Sequence, residues 1–297
     1  MDVARFLNER RAIRLTVGQS GADVYEVDGS FILKHVVRGK LPAEQFDAYA
    51  REALFYQAQA SRHPAYLPQA LQAEVTDDDI VILMKKYALP DRQALDADLL
   101  RAIARSLAMV HADELPSFLQ QSTAAEPLTD QQIAEALTGW HDVLAEHPGA
   151  FDERLPEDIA KRVNELILWH DGEARVLAHG DFHWDNLLTD ERGHILLCDW
   201  QAVHAGSASG DLSFFLSRLG ADGVSIDSAF FLEAYVEAVR ALTGQRLKRQ
   251  DILRHMGAAN VITSFLFWHI YLHGSGEARV REIYGKMAKD WEAWLAR

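Results

Sequence analysis

The stretch HGDFHWDN, residues 179–186, fits the pattern H-x-D-x-x-x-x-N and decides the fold of this chain. Apolar runs at 175–178 and 194–198 flank it, which predicts a strand on either side of a loop. Asp199 follows the second run directly, and an acidic group at the mouth of a buried strand is costly unless it is paired or binds a metal ion. The loop and Asp199 are therefore the first candidates for a functional site.

Two charged residues upstream stand in apolar surroundings. Lys34 ends the apolar run FILK, and Glu52 lies on the helix that the spacing of apolar residues predicts over 43–60. Glu52 is preferred over Glu44 as a functional residue because it lies nearer the apolar stripe of that helix. A glycine-containing segment, GQSGAD at 18–23, separates the first two predicted strands.

Phosphoryl transfer requires these residue types. An aspartate such as Asp181 orients the attacking hydroxyl and accepts its proton, while Asn186 and Asp199 hold Mg²⁺ ions that bridge the phosphates. A strand lysine such as Lys34, held by Glu52, contacts the α- and β-phosphates. The order of these residues along the chain is that of the protein-kinase signature motifs.

Together these motifs resemble those of the aminoglycoside phosphotransferase and choline kinase group of kinase-like enzymes. The resemblance is strongest at residues 179–186, at CDWQ (198–201) and at GDLS (210–213), where the family has an aspartate that braces the catalytic loop. It implies a structural role for His179. The segment GQSG at 18–21 departs from the G-x-G-x-x-G spacing of protein kinases.

The resemblance implies an α+β, two-lobed protein-kinase-like fold. An N-terminal antiparallel sheet lobe with one main helix is expected over residues 1–86, and a mainly helical lobe that binds the acceptor over 87–297. ATP or GTP would bind with its adenine, or guanine, against a connector near 84–88. The further nucleotide-binding residues that this implies are Ser20, Gly21, Met84, Lys86 and Ala88.

The charge of the chain is unevenly distributed. The net charge is −14, of which residues 1–86 carry −1 and residues 87–297 carry −13. A nucleic-acid-binding protein needs a basic face, and neither part supplies one in bulk. An acidic acceptor-binding part attracts a cationic small molecule such as an aminoglycoside or choline. The family also phosphorylates neutral and sugar-like acceptors, and acidic residues also keep a protein soluble.

Two other functions are compatible with parts of the sequence. His179, Asp181, His183 and Asp185 alternate like the ligands of a zinc hydrolase, although this leaves Lys34 unexplained. A catalytically silent nucleotide-binding protein on the same fold is the second alternative. Neither the oligomeric state nor the identity of the acceptor follows from the sequence.

The cysteine content and the distribution of apolar residues indicate where the protein is located. The single cysteine, Cys198, excludes an intramolecular disulfide and is typical of a reducing compartment, so we expect a cytoplasmic location. Its apolar surroundings favour packing over a nucleophilic role. We expect no secretory signal, because residues 1–11 carry charges throughout, and no membrane-spanning segment, because no long apolar run is present.

The remaining patterns are mostly helical. Asp28-Gly29 predicts a two-residue hairpin turn, and the acidic turn 77–79 predicts another hairpin. Helices are predicted from apolar spacing over 96–111, 130–147, 156–171, 228–243, 249–273 and 279–296.

Overall fold

The computed structural model describes residues 1–15, 21–120 and 127–296. The predicted phosphate-loop residue Ser20 lies outside the described residues. The chain divides into two compact units. Unit 1 comprises Met1–Gln120, Val176–Gly206 and Phe214–Arg246, and unit 2 comprises Gln121–Arg175, Ser207–Ser213 and Leu247–Arg297. The division into lobes 1–86 and 87–297 stays a prediction.

Unit 1 contains a five-stranded antiparallel sheet near the N-terminus, as predicted. Its strands are β1 (Ala12–Leu15), β2 (Asp23–Val27), β3 (Phe31–Val37), β4 (Ala70–Val75) and β5 (Asp79–Lys85). Their order across the sheet is β1-β2-β3-β5-β4. Both predicted hairpins are present, and Asp28 and Gly29 have φ angles of 53° and 70°, as a tight turn between β2 and β3 requires.

Two helices pack against this sheet. Helices α1 (Val3–Asn8) and α2 (Ala43–Gln59) belong to this part of the chain. Phe46, Tyr49 and Phe55 of α2 are buried at the spacing of one helix face, whereas Leu54 is 39% exposed. Glu52 lies on the buried face with these aromatic residues, so α2 carries a carboxylate into the core of unit 1.

The segment around residues 179–199 forms strand, loop and strand, with pairing that the sequence does not reveal. The strands are β6 (Arg175–Ala178), β7 (Leu187–Thr189), β8 (Ile195–Leu197) and β9 (His204–Ser207). β7 pairs with β8 in an antiparallel hairpin, and β6 pairs with β9. The loop 179–186 therefore connects two different small sheets.

The rest of the chain is largely helical. The helices are α3 (Ala97–His111), α4 (Asp130–Ala145), α5 (Arg154–Asp171), α6 (Ala208–Ala221), α7 (Ser228–Thr243), α8 (Arg249–Thr263), α9 (His269–Leu272) and α10 (Glu277–Leu295). All six predicted helices are present within a few residues. Among the helices described, α1 and α6 were not predicted; the first turn of α6, Ala-Ser-Gly-Asp, has no apolar periodicity.

The helix predicted over 249–273 is interrupted. A π-helical turn at Ser264–Trp268 separates α8 from α9. The core of unit 2 surrounds this turn, with Phe265 fully buried and Trp140 donating its indole N–H to the Phe265 carbonyl at 3.0 Å. That hydrogen bond satisfies a buried indole at the point where regular helical bonding is broken.

Among the described residues, no helix is both long and apolar enough to cross a membrane.

Candidate active site

A buried ion pair connects the sheet to α2. The Lys34 ammonium on β3 lies 2.8 and 3.1 Å from the two carboxylate oxygens of Glu52, which is fully buried. Burial disfavours the charged lysine, but the charges of Glu52 and Asp199 outweigh this and raise the pKa of Lys34. Lys34 is therefore cationic at neutral pH and has the charge needed to contact phosphates.

Asp199 is the third member of this cluster. Its Oδ1 lies 3.1 Å from Lys34 Nζ and accepts a 2.6 Å hydrogen bond from the Gln201 side chain. The Asp199 backbone has φ 62° and ψ 63°, the left-handed region that aspartate occupies more readily than most residues. Strain of this kind is typical of functional sites, and here it directs a side chain that is 38% exposed.

Trp200 anchors the neighbouring backbone. Its ring is fully buried, stacks on Phe55 of α2 at 4.4 Å, and donates its indole N–H to the Leu197 carbonyl at 2.7 Å. The Trp200 backbone N–H also donates to the Glu52 carboxylate. The same helix therefore fixes both Lys34, through Glu52, and the residue that follows Asp199.

The His179 side chain holds the loop in place through two hydrogen bonds to backbone groups. Its Nε2 donates to the Cys198 carbonyl at 2.9 Å, and its Nδ1 accepts from the Asp181 backbone N–H at 3.3 Å. Gly180 has φ 81°, and a Cβ there would lie 2.3 Å from the Ala202 carbonyl oxygen. Only glycine fits this position, so the distance between Asp181 and the segment around Asp199 is fixed by backbone packing.

Asp181 is a partly exposed carboxylate with two polar neighbours. Its Oδ2 lies 3.3 Å from Asn186 Nδ2 and 3.4 Å from His183 Nε2, and 42% of its side chain is exposed. The hydrogen bond from His183 lowers the pKa of Asp181, burial opposes this, and the nearby imidazoles of His183 and His179 and the side chain of Asn186 lower it further. Asp181 is therefore ionised at neutral pH and able to accept a proton.

The positions of Asn186 and Asp199 fit a Mg²⁺ site. Asn186 Nδ2 donates to the Asp181 carbonyl at 2.8 Å, so its amide oxygen points away from this bond. The Cys198 backbone N–H donates to the Asn186 carbonyl at 3.0 Å, which links Asn186 to the residue that precedes Asp199. Amide and carboxylate oxygens are the hard ligands that Mg²⁺ prefers.

The zinc-hydrolase alternative has less support from this geometry. Both ring nitrogens of His179 are already engaged in hydrogen bonds, which removes it as a ligand. Within residues 1–15, 21–120 and 127–296, the group of three or more histidine, cysteine or acidic side chains close enough to share a metal ion lies elsewhere. Cys198 is half-buried, and the burial of its thiol raises the pKa of that group to about 12, which agrees with a packing role.

The predicted connector residues are tied into the surrounding backbone. The Lys86 N–H donates to the Ser30 carbonyl at 2.8 Å, and its ammonium lies 2.7 Å from Glu26. Ala88 exchanges two backbone hydrogen bonds with Thr189, at 2.8 and 3.3 Å. The backbone amide and carbonyl of Ala88 are therefore already used.

The two remaining nucleotide-site predictions flank this connector and the loop after β1. Met84 is buried in β5 opposite Ile32. Gly21 has φ 78°, and a Cβ there would meet the Leu41 side chain at 2.4 Å. The roles of Gly21, Met84, Lys86 and Ala88 in binding a nucleotide stay predictions.

The structure thus brings together the residues predicted for catalysis and metal binding. It also adds three contacts to these residues that the sequence analysis did not predict. His183 contacts Asp181, Gln201 contacts Asp199, and the ring of Tyr49 lies 5.3 Å from the Lys34 ammonium. Sequence signals existed for Tyr49, which lies one helical turn before Glu52 on the same face of α2, and for His183, which belongs to the alternating histidines and aspartates of the loop, but not for Gln201.

The fold is that of the kinase-like class of proteins. The family model described as the phosphotransferase enzyme family matches residues 12–248. The chain belongs to that family. A comparison with curated protein sequences finds no match.

Solved structures of kinases share the fold. An ethanolamine kinase from Plasmodium vivax has a TM-score of 0.59 at 11% identity, over 97% of this chain and 83% of that one. An ADP-bound aminoglycoside phosphotransferase has a TM-score of 0.58 at 14% identity, over 97% of both chains. Choline kinase from Streptococcus pneumoniae has a TM-score of 0.56 at 12% identity over the full length of both. The expected two-lobed α+β kinase-like fold is confirmed.

Proposed function

We propose that this protein transfers the γ-phosphoryl group of ATP, or GTP, to a hydroxyl group of a small molecule. One observation carries the proposal: the ionised Asp181 carboxylate is held on the same loop as Asn186, which is tied by a backbone hydrogen bond to the segment bearing Asp199. Lys34 contacts that same Asp199.

Each residue then has a definite task. Asp181 accepts the proton of the attacking hydroxyl, and its 42% exposure leaves it accessible to an acceptor. Lys34 gives up part of its contact with Asp199 and binds the α- and β-phosphates, while Glu52 keeps it in place. Bound by Asn186 and Asp199, Mg²⁺ would neutralise charge on the phosphates.

For the adenine, we propose a contact with the backbone of Tyr87. The neighbouring N–H groups of Lys85, Lys86 and Ala88 donate to Gln69, Ser30 and Thr189. The hydrogen bonds of the described residues include no partner for the Tyr87 N–H. An amide donor at the centre of the connector is therefore available to a ring nitrogen of the base.

We propose a cationic acceptor, similar to an aminoglycoside or choline. Beside Asp181, His183 is flanked by the carboxylate of Asp185, which is 65% exposed, and by the ring of Phe214, which is 37% exposed and 6.2 Å away. An exposed acid and an aromatic face are the groups that recognise an amine. A neutral sugar-like acceptor is the alternative within the same reaction class.

Other acidic residues already have partners. Asp222 lies 2.5 Å from the Arg92 guanidinium, Asp152 is paired with Arg154, and Asp227 caps α7. Pairing with arginine, or use as a helix cap, lowers their contribution to the attraction of an acceptor, whereas the contact of Asp185 with His183 Nδ1 is longer, at 3.7 Å. Asp185 is therefore the acid that we favour for this role.

A small acceptor fits the chain better than a protein substrate. Protein kinases carry a long activation loop after the metal-binding aspartate. Here one short 3₁₀ turn, Trp200–Ala202, and β9 separate Asp199 from the start of α6. We also propose a cytoplasmic location, in keeping with the single cysteine.

The decisive experiment measures ADP release with ATP or GTP, Mg²⁺ and a panel of hydroxylated amines, aminoglycosides and sugars. We expect release that depends on one class of acceptor and a phosphorylated product detected by mass spectrometry. Mg²⁺-dependent nucleotide binding without turnover on any acceptor would instead support the silent nucleotide-binding alternative. Asp181→Asn serves as the matched inactive control.

A further inference from the structure

Three metal-binding side chains converge in unit 2, and none of them belongs to the catalytic loop. They are His170 near the end of α5, Glu173 just after that helix, and His255 on α8. One ligand atom from each lies within 4.8 Å of the other two. Two imidazoles and one carboxylate are a donor set found in zinc proteins.

The environment of His170 selects the tautomer that a metal requires. Its Nε2 lies 3.2 Å from the Ser207 hydroxyl oxygen, which also accepts the Gly210 backbone N–H at 3.1 Å. Its Nδ1 is buried and has no hydrogen-bond partner. A proton on Nδ1 would therefore be buried without an acceptor, so the proton lies on Nε2 and the Nδ1 lone pair is free.

This arrangement is the one seen around metal-bound histidines, where the second ring N–H is donated to a polar group that fixes the ring. A ring with its proton on Nε2 and a free Nδ1 is neutral, the form in which imidazole binds metals.

Glu173 is oriented toward the two histidines from the start of α6. The Ser209 backbone N–H donates to Glu173 Oε1 at 3.3 Å, and the Ser209 hydroxyl donates to Oε2. Glu173 Oε2 lies 3.9 Å from Nδ1 of His255. That separation is too long for a hydrogen bond but suits two ligands that approach a common ion.

His255 presents a second free nitrogen. Its ring stacks on Trp169 at 4.3 Å with an angle of 11° between the planes, which fixes its orientation. Its Nδ1 is buried without a hydrogen-bond partner. Packing alone leaves two imidazole nitrogens unsatisfied beside a carboxylate, which costs free energy that a bound cation would recover.

We propose that His170, Glu173 and His255 bind one Zn²⁺ ion in a three-ligand site whose fourth position is open to water. Nitrogen donors favour zinc over magnesium or calcium, which prefer oxygen ligands. Glu173 and His255 are 15% and 18% exposed, so the ion can reach the site from solvent. The ion would connect the end of α5, the start of α6 and α8.

The test is a zinc titration of the full-length, metal-depleted protein against a chromophoric chelator. We expect one Zn²⁺ per chain, and with Co²⁺ the visible absorption of a four-coordinate site. His170→Asn and His255→Asn abolish both signals. Ser207→Ala, which removes only the partner of His170 Nε2, weakens binding about 10- to 100-fold.

Two matched controls separate this site from others. His141→Ala removes a histidine on α4 that is 44% exposed and leaves zinc binding unchanged. Asp199→Ala removes a proposed Mg²⁺ ligand and also leaves it unchanged. The outcome therefore does not depend on whether the protein is a kinase.

The proposal fails if His170→Asn and His255→Asn fold, by circular dichroism, and still bind zinc like the wild type. If these variants do not fold, the proposal is tested by the Co²⁺ absorption of the wild type and by the zinc affinity of Ser207→Ala. A wild type without Co²⁺ absorption, or a Ser207→Ala variant with unaltered affinity, overturns the proposal.

Discussion

Replacing Glu52 with glutamine tests the central ion pair of the site. The substitution keeps the shape of a fully buried side chain but removes the charge that faces Lys34 at 2.8 Å. Breaking a buried ion pair costs about 3–5 kcal/mol, because the remaining charge loses its partner. The Asp199 carboxylate, 3.1 Å from Lys34, still compensates the charge of Lys34. We therefore expect the free energy of unfolding to fall by an amount at the low end of this range, about 3 kcal/mol.

The assay is urea unfolding followed by circular dichroism. With a denaturant dependence of about 3 kcal/mol/M, the midpoint falls by about 1 M. Glu44→Gln is the matched control, since Glu44 lies on the same helix, α2, and is exposed. A surface carboxylate of this kind contributes about 0.5 kcal/mol or less.

A Glu52→Gln midpoint equal to that of Glu44→Gln would refute this reasoning. It would mean that Lys34 is compensated without Glu52. The KM for ATP gives a second measurement, because Lys34 is then held by Asp199 alone and is less available to phosphates. We expect a higher KM for ATP in Glu52→Gln and an unchanged one in Glu44→Gln.

The remaining predictions concern the reaction. We expect Asp181→Asn to lower kcat about 10²- to 10⁴-fold and to leave nucleotide binding intact. Asp185→Asn should change mainly the KM for the acceptor. An equal kcat in the wild type and in Asp181→Asn would show that Asp181 is not the base. The pKa of Asp181 in the folded protein is below the ordinary value for an aspartate. We therefore expect kcat/KM to stay constant at every pH above that ordinary value and to fall only as the pH drops through the lowered pKa. A decrease of kcat/KM already at pH 6 would show that another group causes it. Asp199→Ala abolishes the Mg²⁺ dependence of nucleotide binding, and titrations with and without Mg²⁺ measure this. Added salt raises the KM of a cationic acceptor because exposed charges are screened beyond about 8 Å at physiological ionic strength; a salt-independent KM or a neutral preferred acceptor would contradict the cationic proposal.

The hairpins and most helices followed from local sequence signals. Asp28-Gly29 adopts the left-handed angles that a two-residue turn needs, and those two residue types tolerate them. The prediction of a helix over 249–273 gave the correct ends, but the helix is not continuous. The π-helical turn at Ser264–Trp268 is stabilised by the distant Trp140, a contact that apolar spacing along the chain does not encode.

The sequence by itself determined the phosphotransferase family and predicted the residues that would carry the reaction, because phosphoryl transfer needs particular functional groups and these recur in a fixed order along the chain. Tertiary structure decided what those groups are able to do. Asp181 is ionised at neutral pH because His183 donates to it, and Lys34 stays charged in a buried site because Glu52 and Asp199 converge on it from separate segments. A pKa depends on burial and on charges within a few ångströms, and both are set only when distant parts of the chain are brought together.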